Sequence, residues 1–484
     1  MWVEKWTNAC LAQLVSMLLA FGMLMAATTP AHAGRFEAGS FTAHNTASNG
    51  NVVRVNFQQS FDTVPIVVAL SDNNGSDAAA IRITNITTTG FDELILEPDN
   101  FDGPHAAQNV HYVAVEPGRH VLPDGRIVEA GTASISAIQH GAGVAGAESW
   151  ASVSFSSSLP GTPSVIAQIQ TANSETRTVA SQSSQPFITA TLNNISTSGF
   201  QLALERSEAN GGPVPSAETV GWIAFPAGVG GAFPDIAGNS IAWSAVNSGT
   251  NIRGWDNGCF TNDFGQISAS AIVVAKKNSH IGGDGGWLRR CSLSSTLIGL
   301  TVDEDTSRDT ERAHTGESAS ILAFSQSFHA LLEPALSVTK TSVSFVDNLG
   351  SGFALPSATV EYLIIIQNSG NAPPNYDSVI VTEALPAELA LIVTDFSTPG
   401  SGPVQFQDGT PGSGLAFNYG GLGDPMDSVS FSTDGSNFGY NPSDSGDGTD
   451  PAVTHIRISP TGFMAPDTGV GATSLSIRLR GKIG

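Results

Sequence analysis

Short apolar runs, separated by clusters of Gly, Asn, Asp, Ser and Pro, are the main pattern along the chain. PIVVAL (65–70), ASAIVVAKK (269–277) and YLIIIQ (362–367) are rich in β-branched residues. Runs of this length and composition between turn-forming residues are typical of β-strands. Long apolar heptads and charged helical faces are absent from the sequence, so the pattern predicts an all-β protein.

Two neighbouring runs differ in their expected burial. In PIVVAL the apolar residues Ile66, Val67 and Val68 are adjacent, which predicts a strand that is buried on both faces. In AAIRITNIT (79–87) apolar and polar residues alternate, which predicts a strand with one buried face.

Three segments of the sequence occur twice, in nearly the same form and in the same order, which indicates a duplicated domain. In the second of these segments Gly90 and Gly199 are predicted to form a turn, and Phe91 and Phe200 to enter the core. Each copy also contains an N-x-[ST] triplet; it could be a glycan acceptor, but it lies in the predicted hairpin and is interpreted as incidental. The paired segments are VNFQQSFDTVPIVVAL (55–70) with VSFSSSLPGTPSVIAQ (153–168), ITNITTTGF (83–91) with LNNISTSGF (192–200), and HYVAVEPG (111–118) with GWIAFPAG (221–228).

A diverged third copy follows the first two. ASAIVVAKK, STLIGLTVDED (295–305) and SASILAFS (318–325) match three strands of the repeat, although the Gly-Phe pair is missing. Each copy has about six short strands, which predicts an antiparallel β-sandwich. The predicted fold class is therefore all-β, with tandem antiparallel β-sandwiches and a further β-module. The predicted boundaries are 34–145, 146–245 and 246–332 for the three copies and 333–484 for the module.

The charge of the chain argues against one class of partner. The net charge is −23, and only 13% of the residues are charged. Binding to nucleic acid requires clustered Lys and Arg, and the sequence contains no such cluster, so no nucleic-acid partner is expected. A negative net charge keeps a weakly charged chain soluble by self-repulsion, as suits a secreted protein.

The first 33 residues predict export. Lys5 gives a weakly basic start, residues 18–27 are apolar, and A-H-A at 31–33 is a small-residue cleavage site. The apolar stretch is short for a transmembrane anchor. Residues 1–33 are therefore predicted to be a signal peptide, and the mature chain is expected to be secreted or displayed at the cell surface without a membrane span.

The mature chain retains two cysteines, Cys259 and Cys291. An even number of cysteines in an exported protein favours a disulfide. A free buried pair and half of a metal site are the alternatives, and two cysteines cannot supply the four ligands of a structural zinc site.

Catalytic motifs are missing from the sequence. It contains neither a G-x-S-x-G nucleophile motif nor a phosphate-binding G-x-x-x-x-G-K-[ST] loop. VDEDTSRDTERAHTGE (302–317) gathers acidic residues near His314; it could bind a cation or act as an acid–base pair, or be a solvated loop with its own arginines. The protein is predicted not to be an enzyme, with an extracellular hydrolase as a remote alternative.

Carboxylates at the ends of three strands are the candidate ligand-binding residues. Glu97, Glu205 and Asp303 each end the strand that precedes a variable loop. In the first copy this loop adds Asp102 and His105. A loop that keeps an acid while its other residues vary fits a ligand-facing edge, and it fits a strand end capped by a carboxylate equally well.

Trp287 is the candidate aromatic residue for stacking on a ligand. It lies next to glycines in GGDGGWLRR (282–290), which predicts an exposed ring. An exposed aromatic ring offers an apolar face with a polar edge, which suits a sugar.

The segment SDSGDGTDP (443–451) is a candidate calcium site. It places Asp444, Asp447 and Asp450 three residues apart, with glycines that allow a tight turn. Oxygen ligands on a loop suit Ca²⁺, although the EF-hand spacing is absent. An ordinary acidic surface loop is the alternative.

The repeats resemble the H-type lectin-like domain. The shared features are F-x3-F-x3-P-x-V, I-x-I-x-N-[IV]-[TS]-x-x-G-F and a final [YW]-[IV]-A strand, over residues 50–118 and 150–228 and more weakly over 258–325. Residues 103–131 are similar to the variant in large bacterial surface proteins, including those associated with MSHA pilus biogenesis. The resemblance implies six-stranded antiparallel sandwiches that trimerise and bind N-acetylgalactosamine-type sugars. The matching motifs belong to the scaffold, so no sugar-contacting residue is carried over; three copies in one chain could mimic the trimer.

Residues 335–484 resemble an Ig-like bacterial surface repeat, through LSVTKT (336–341), VEYLIIIQNSGNA (360–372) and VTEALP (381–386). Such modules usually serve as stalks or spacers. The combined expectation is a secreted or surface-exposed bacterial protein that binds glycans or surface proteins and that could form oligomers. The alternative is a non-catalytic structural component of a surface appendage or envelope layer.

Overall fold

A computed structural model describes residues 34–43, 52–98, 105–140, 148–175, 187–206, 213–283, 285–306 and 310–484. This part of the chain consists of strands in mostly antiparallel sheets, which confirms the predicted all-β class and its tandem sandwiches. It forms two compact units: the larger lies within residues 34–122 and 126–331, and the smaller contains Pro123–Gly125 and Leu332–Gly484. The predicted signal peptide, residues 1–33, lies outside the described residues.

The first sandwich of the larger unit has six strands in two sheets. They are β1 (Gly34–Ala43), β2 (Val53–Asn56), β3 (Ile66–Ser71), β4 (Ala80–Thr87), β5 (Gly90–Leu96) and β6 (Gln108–Val115). The large sheet runs β1-β6-β3 and the small sheet runs β2-β5-β4. Phe57, Phe91 and Tyr112 pack between the sheets, with ring centroids 5.3–6.5 Å apart.

Two further sandwiches repeat this arrangement. The strands of the second sandwich are β8 (Ile127–Ile135), β9 (Ile138–Gln139), β10 (Ala151–Ser154), β11 (Pro163–Ile169), β12 (Thr189–Asn193), β13 (Gly199–Glu205) and β14 (Glu218–Pro226). Those of the third are β16 (Ser240–Asn247), β17 (Phe260–Asp263), β18 (Ile272–Lys277), β19 (Trp287–Leu293), β20 (Leu297–Asp303) and β21 (Ala319–Phe324), with a 3₁₀ turn, η1, at Trp255–Asn257. Their large sheets contain β8, β14 and β11 in the second sandwich and β16, β21 and β18 in the third, and their small sheets run β10-β13-β12 and β17-β20-β19.

Each large sheet receives a fourth strand from the segment that leaves another sandwich. β7 (Gly118–Val121) follows the first sandwich and pairs with β8, and β15 (Val229–Pro234) follows the second and pairs with β16. β22 (Phe328–Leu332) follows the third sandwich and pairs with β1. Because β22 returns to the first sandwich, the three sandwiches form a closed ring within one chain.

Strand pairing moves two of the predicted boundaries. β8 ends before residue 145 but pairs with β14, and most of β16 lies before residue 245 but pairs with β21. The predicted boundaries come too late because the repeated motifs begin at the second strand of each sandwich. The first strand of each sandwich therefore lies ahead of its recognisable repeat.

The edge strands β3, β11 and β18 contact one another at the centre of the ring. Val67 and Ala69 belong to the core inside the first sandwich. Ile66, Val68 and Leu70 lie on the opposite face of the strand, yet none is more than 3% exposed. β3 is thus buried on both faces, as its uninterrupted apolar run predicts, because its second face packs against the neighbouring sandwiches.

Backbone N–H groups of these edge strands are satisfied across the ring by side chains. One residue at the same register position in each strand donates to an acceptor from a neighbouring sandwich. The bonds run from Val67 to Gln170 Oε1 (3.1 Å), from Val165 to Ser320 Oγ (3.1 Å) and from Val273 to His111 Nδ1 (3.0 Å). A buried N–H without an acceptor costs about 1–3 kcal/mol, so these side chains hold the sandwiches together in a defined order.

The repeated segment ITNITTTGF forms the predicted turn between β4 and β5, and φ is positive at Gly90 (159°) and at Gly199 (155°) in the second copy. The Asn of each triplet is left-handed as well, with φ of 46° at Asn85 and 49° at Asn194. Gly90 and Gly199 are required for a second reason: a Cβ there would lie 2.2 Å and 2.1 Å from a backbone oxygen of the neighbouring strand. The predicted burial of the following Phe residues is confirmed, with exposures of 0% and 4%.

The smaller unit is a two-sheet sandwich around a single core. Its larger sheet runs β23-β24-β31-β26-β29, with β27 also on β31, and its smaller sheet runs β25-β30-β28. Ile364, Phe431, Ile456 and Ile477 lie in the shared core. Its strands are β23 (Leu336–Val346), β24 (Thr359–Asn368), β25 (Val381–Ala384), β26 (Leu389–Ile392), β27 (Val404–Asp408), β28 (Val429–Ser432), β29 (Thr449–Asp450), β30 (His455–Ile458) and β31 (Thr473–Ile483).

Replacing Gly90 with Val is expected to destabilise the larger unit by about 3 kcal/mol, because the new side chain overlaps the backbone of β2. Gly161→Val is the matched control, since Gly161 is exposed and a Cβ added to it would have no other atom within 4 Å. Thermal melts of both variants measure the difference. Equal melting temperatures would show that the close approach does not matter.

Glu93 lies inside the core of the first sandwich. It is on the same face of β5 as Phe91 and Ile95 and is fully buried. Neither carboxylate oxygen has a hydrogen-bond partner among the residues that the structure describes, and burial raises its pKa to about 8. The register places Leu202 at the same position in the second sandwich.

Replacing Glu93 with Leu is expected to stabilise the protein in a pH-dependent manner. Below the ordinary pKa of 4.5 the carboxyl is protonated in both the folded and unfolded states. Between pH 4.5 and 8 only the unfolded chain ionises, so wild type loses about 1.4 kcal/mol per pH unit relative to the variant. Melting curves from pH 4 to 9 test this, and parallel curves would contradict it. Leu202→Glu should produce the opposite effect.

Candidate functional site

Each of the three junctions between sandwiches contains a buried ion pair. At each junction a loop that follows β3, β11 or β18 meets the small sheet of a neighbouring sandwich. Carboxylates at the start of the last strand, or two residues before it, anchor two of these loops. Glu218 accepts hydrogen bonds from the backbone of Asn173 and Ser174 (3.0 and 2.6 Å), and Glu317 accepts them from residues 281 and 282 (both 2.8 Å).

The junction between the first and second sandwiches contains a buried bidentate ion pair. The Arg82 guanidinium of β4 binds both carboxylate oxygens of Glu175, with a distance of 3.1 Å from Nε to Oε2. Arg82 also donates to the carbonyl of Ile188 at 2.8 Å. The side chains of Arg82 and Glu175 are 5% and 0% exposed.

The junction between the second and third sandwiches holds the predicted residue Glu205. Its Oε1 lies 2.7 Å from Lys277 Nζ and 2.8 Å from His280 Nδ1. Burial alone would raise the pKa of Glu205, but the charge of Lys277 and the bonds from His280 hold it below its ordinary value. Trp150 lies edge-on to His280, with ring centroids 5.8 Å apart, and both rings are partly exposed.

The junction between the third and first sandwiches holds the predicted residue Asp303. Its carboxylate accepts from Arg289 Nη1 and Arg312 Nε, each at 2.8 Å. Arg289 also donates to three backbone carbonyls of the first sandwich, within residues 72–77. Trp255 stacks against both guanidinium groups, 5.1 and 4.1 Å from the ring centroid. Asp303 is therefore part of the connection between these two sandwiches.

Part of the acidic stretch around His314 is buried, unlike a solvated loop: Glu304, His314 and Glu317 are each at most 3% exposed, whereas Glu311 is exposed. Glu304 hydrogen-bonds to one ring nitrogen of His314, and Glu317 lies 3.3 Å from the other. Burial lowers the pKa of His314, but the bonds to the two carboxylates outweigh this effect and raise it above its ordinary value. The same contacts help to lower the pKa of Glu317 to about 2, against the effect of burial.

The three predicted strand-end acids do not share one register position. Glu205 and Asp303 are equivalent, whereas Leu96 occupies that position in the first sandwich and Glu97 comes one residue later. The reason is that FDELILE contains one more residue before its last Glu than FQLALE. Glu97, Glu205 and Asp303 are each at most 2% exposed.

The remaining candidates of the larger unit occupy different settings. Asp102 lies outside the described residues, and His105 is buried, with its ring nitrogens 2.9 and 3.1 Å from backbone oxygens. The expectation that Trp287 is exposed was wrong. Trp287 is 9% exposed. Its indole packs against Phe187, and its N–H donates to the Ala79 carbonyl at 2.8 Å. The neighbouring glycines allow this side chain to fold into the centre of the ring of sandwiches.

The three candidate calcium residues form separate sets of hydrogen bonds with different groups. Asp444 accepts from two glycine N–H groups at 2.7 Å. Asp447 binds Lys482 Nζ at 2.7 Å, and Asp450 accepts from the Tyr440 hydroxyl at 3.0 Å. Within the described ranges no group of three or more His, Cys, Asp or Glu side chains is arranged to hold a metal ion.

Cys259 and Cys291 are joined in a disulfide, with their Cα atoms 5.9 Å apart. The bond links the segment before β17 to β19, across β20. It therefore ties together the small sheet of the third sandwich, the copy that diverges most from the other two.

Sequence reasoning missed a repeated buried acid. Glu37 and Glu129 are equivalent, and each accepts from a backbone N–H that follows the second strand of its sandwich, at Gln58 (2.9 Å) and Ser156 (2.7 Å). The available signal was the tripeptide E-A-G, which occurs at 37–39 and 129–131. This tripeptide lies on the first strand of each sandwich, ahead of the repeated motifs.

Comparison of the chain with protein-family models, curated proteins and solved structures finds no match. Among the residues that the structure describes, no helix is long and apolar enough to cross a membrane.

Replacing Glu205 with Gln is expected to destabilise the larger unit by about 3 kcal/mol, because Lys277 would remain buried without its counter-charge. Asp62→Asn is the matched control: Asp62 pairs with Arg35 at 3.1 Å, but its side chain is 65% exposed, so a loss below about 1 kcal/mol is expected. Chemical denaturation measures both free energies of unfolding. Similar values for the two variants would argue against a structural role for Glu205.

Proposed function

We propose that this protein is a secreted or surface-exposed, non-catalytic binding protein that recognises glycans or glycosylated partners through its ring of three sandwiches. In this proposal residues 1–33 direct export, and the C-terminal sandwich is a spacer. The resemblance of the repeats to the H-type lectin-like domain and of the C-terminal unit to Ig-like surface repeats supports this assignment.

The observation that carries the proposal is the junction between the second and third sandwiches. It places a partly exposed indole, Trp150, edge-on to a partly exposed imidazole, His280, and the buried carboxylate of Glu205 fixes the position of that imidazole. An aromatic ring beside a few positioned polar groups suits a ligand with both an apolar face and hydroxyl groups. A sugar ring has this combination.

A structural role in a surface appendage or envelope layer is the second candidate. It is favoured by the use of Glu205 and Asp303 in buried ion pairs between sandwiches. Such pairs fix the order of the three copies. In these pairs both carboxylates have a structural role.

Binding of the full chain to a glycan array, with Ca²⁺ and with a chelator, tests the proposal. We expect a subset of glycans to bind, and Trp150→Ala to weaken binding at least tenfold, because the variant lacks the stacking face. Tyr376→Ala removes an aromatic side chain that is 62% exposed in the other compact unit and should leave binding unchanged.

Two results would count against the assignment. If no glycan binds in either condition, the structural role becomes the better explanation. If glycans bind equally well to wild type and to Trp150→Ala, recognition occurs elsewhere on the chain. A folded variant, verified by its thermal melt, is required in both cases.

A further inference from the structure

A cavity of about 50 Å³ lies at the centre of the ring, where all three sandwiches meet. A buried water requires about 10–15 Å³ on this scale, so the cavity has room for a few waters or one small molecule. Its walls come from equivalent strands of each sandwich: β3 and β4, β11 and β12, and β18 and β19, together with the segments that flank them. It adjoins the junction proposed above for glycans, because Lys277 lines the cavity and also pairs with Glu205.

One layer of side chains in this region breaks the threefold repeat. The register aligns Leu70 of β3, Gln168 of β11 and Lys276 of β18. All three residues line the cavity. Gln168 is already engaged, because it accepts from Ala69 N (2.7 Å) and donates to the Ile81 carbonyl (2.9 Å). Lys276 is thus the one cationic side chain in an otherwise neutral layer.

The charges at the cavity do not balance. Three cationic residues line it, and two of them have acidic partners: Arg82 pairs with Glu175, and Lys277 pairs with Glu205. Among the described residues Lys276 forms no ion pair. Lys276 is partly exposed, but the desolvation of its ammonium group and the nearby charge of Arg82 lower its pKa to about 7. A protonated ammonium group in such a place is stabilised by an anion that enters from solvent.

We propose that this central cavity binds a small carboxylate, of about the size of acetate or propionate, with its charge on the Lys276 ammonium group. The apolar walls formed by Ile81, Leu288 and Trp287 suit a short alkyl group, and Ser71 and Thr189 add hydroxyl groups. Arg82, Lys277 and Gln168 are already hydrogen-bonded to other groups, so few donors remain for a more highly charged anion such as phosphate. The proposal rests on the cavity alone and does not depend on glycan recognition.

The test is a titration of the full chain with acetate and with propionate at pH 6 and constant ionic strength. We expect a saturable rise in melting temperature for wild type. In spectra of [¹⁵N]lysine-labelled protein, the carboxylate should raise the pKa of Lys276 by at least one unit, since an anion favours the protonated amine. Both effects should disappear in Lys276→Met, which keeps the aliphatic stem.

Lys482→Met is the matched control, because Lys482 forms an exposed pair with Asp447 in the other compact unit; it should respond to carboxylates as wild type does. If Lys276→Met does not fold, Lys276→Gln takes its place, and the pKa measurement on wild type stands independently. A Lys276 pKa that is unchanged by either carboxylate would overturn the proposal. Tighter binding of phosphate than of propionate would overturn the choice of ligand class.

Discussion

The structure of the larger unit depends on the hydrogen bonds that satisfy three buried sheet edges. β3, β11 and β18 are edge strands, yet they are packed against one another at the centre of the ring. An unpaired edge in such a place is costly. Side chains from the neighbouring sandwich take the place of a further strand, so no sandwich can be removed without exposing an edge of another.

The side chain that accepts the backbone hydrogen bond differs between the three edge strands. The difference follows from one position in the last strand of each sandwich. The register makes His111, Ser320 and Gly221 equivalent. His111 and Ser320 supply the acceptor themselves, whereas Gly221 has no side chain and Gln170 fills its space, 2.9 Å from where a Cβ would lie. Burial and the charge of Arg290 lower the pKa of His111 to about 3. The His111 imidazole is therefore neutral, and its Nδ1 can accept the hydrogen bond from the backbone N–H of Val273.

Duplication within one chain gives each junction its own chemistry. An identical trimer would carry the same ion pair three times, but here the pairs are Arg82 with Glu175, Glu205 with Lys277, and Asp303 with two arginines. Charges that match only one neighbour favour one arrangement over its alternatives. The same asymmetry leaves Lys276, among the described cationic residues that line the central cavity, as the one without an ion pair, which identical copies would not allow.

Local sequence pattern is sufficient to predict the strand class, the repeat and many residues of the cores. Alternation, turn residues and repeated motifs involve only neighbouring positions, so they assign Phe91 and Phe200 to the interior and the run at Ile66 to a strand buried on both faces. What covers that second face depends on tertiary structure, because closing the ring through β22 joins residues about 300 positions apart. The burial of Glu205, Asp303 and Trp287 depends on it as well. The sequence identifies these residues as polar or aromatic. The neighbouring sandwich determines their environment, and the sequence of a single strand does not specify which residues that sandwich places against it.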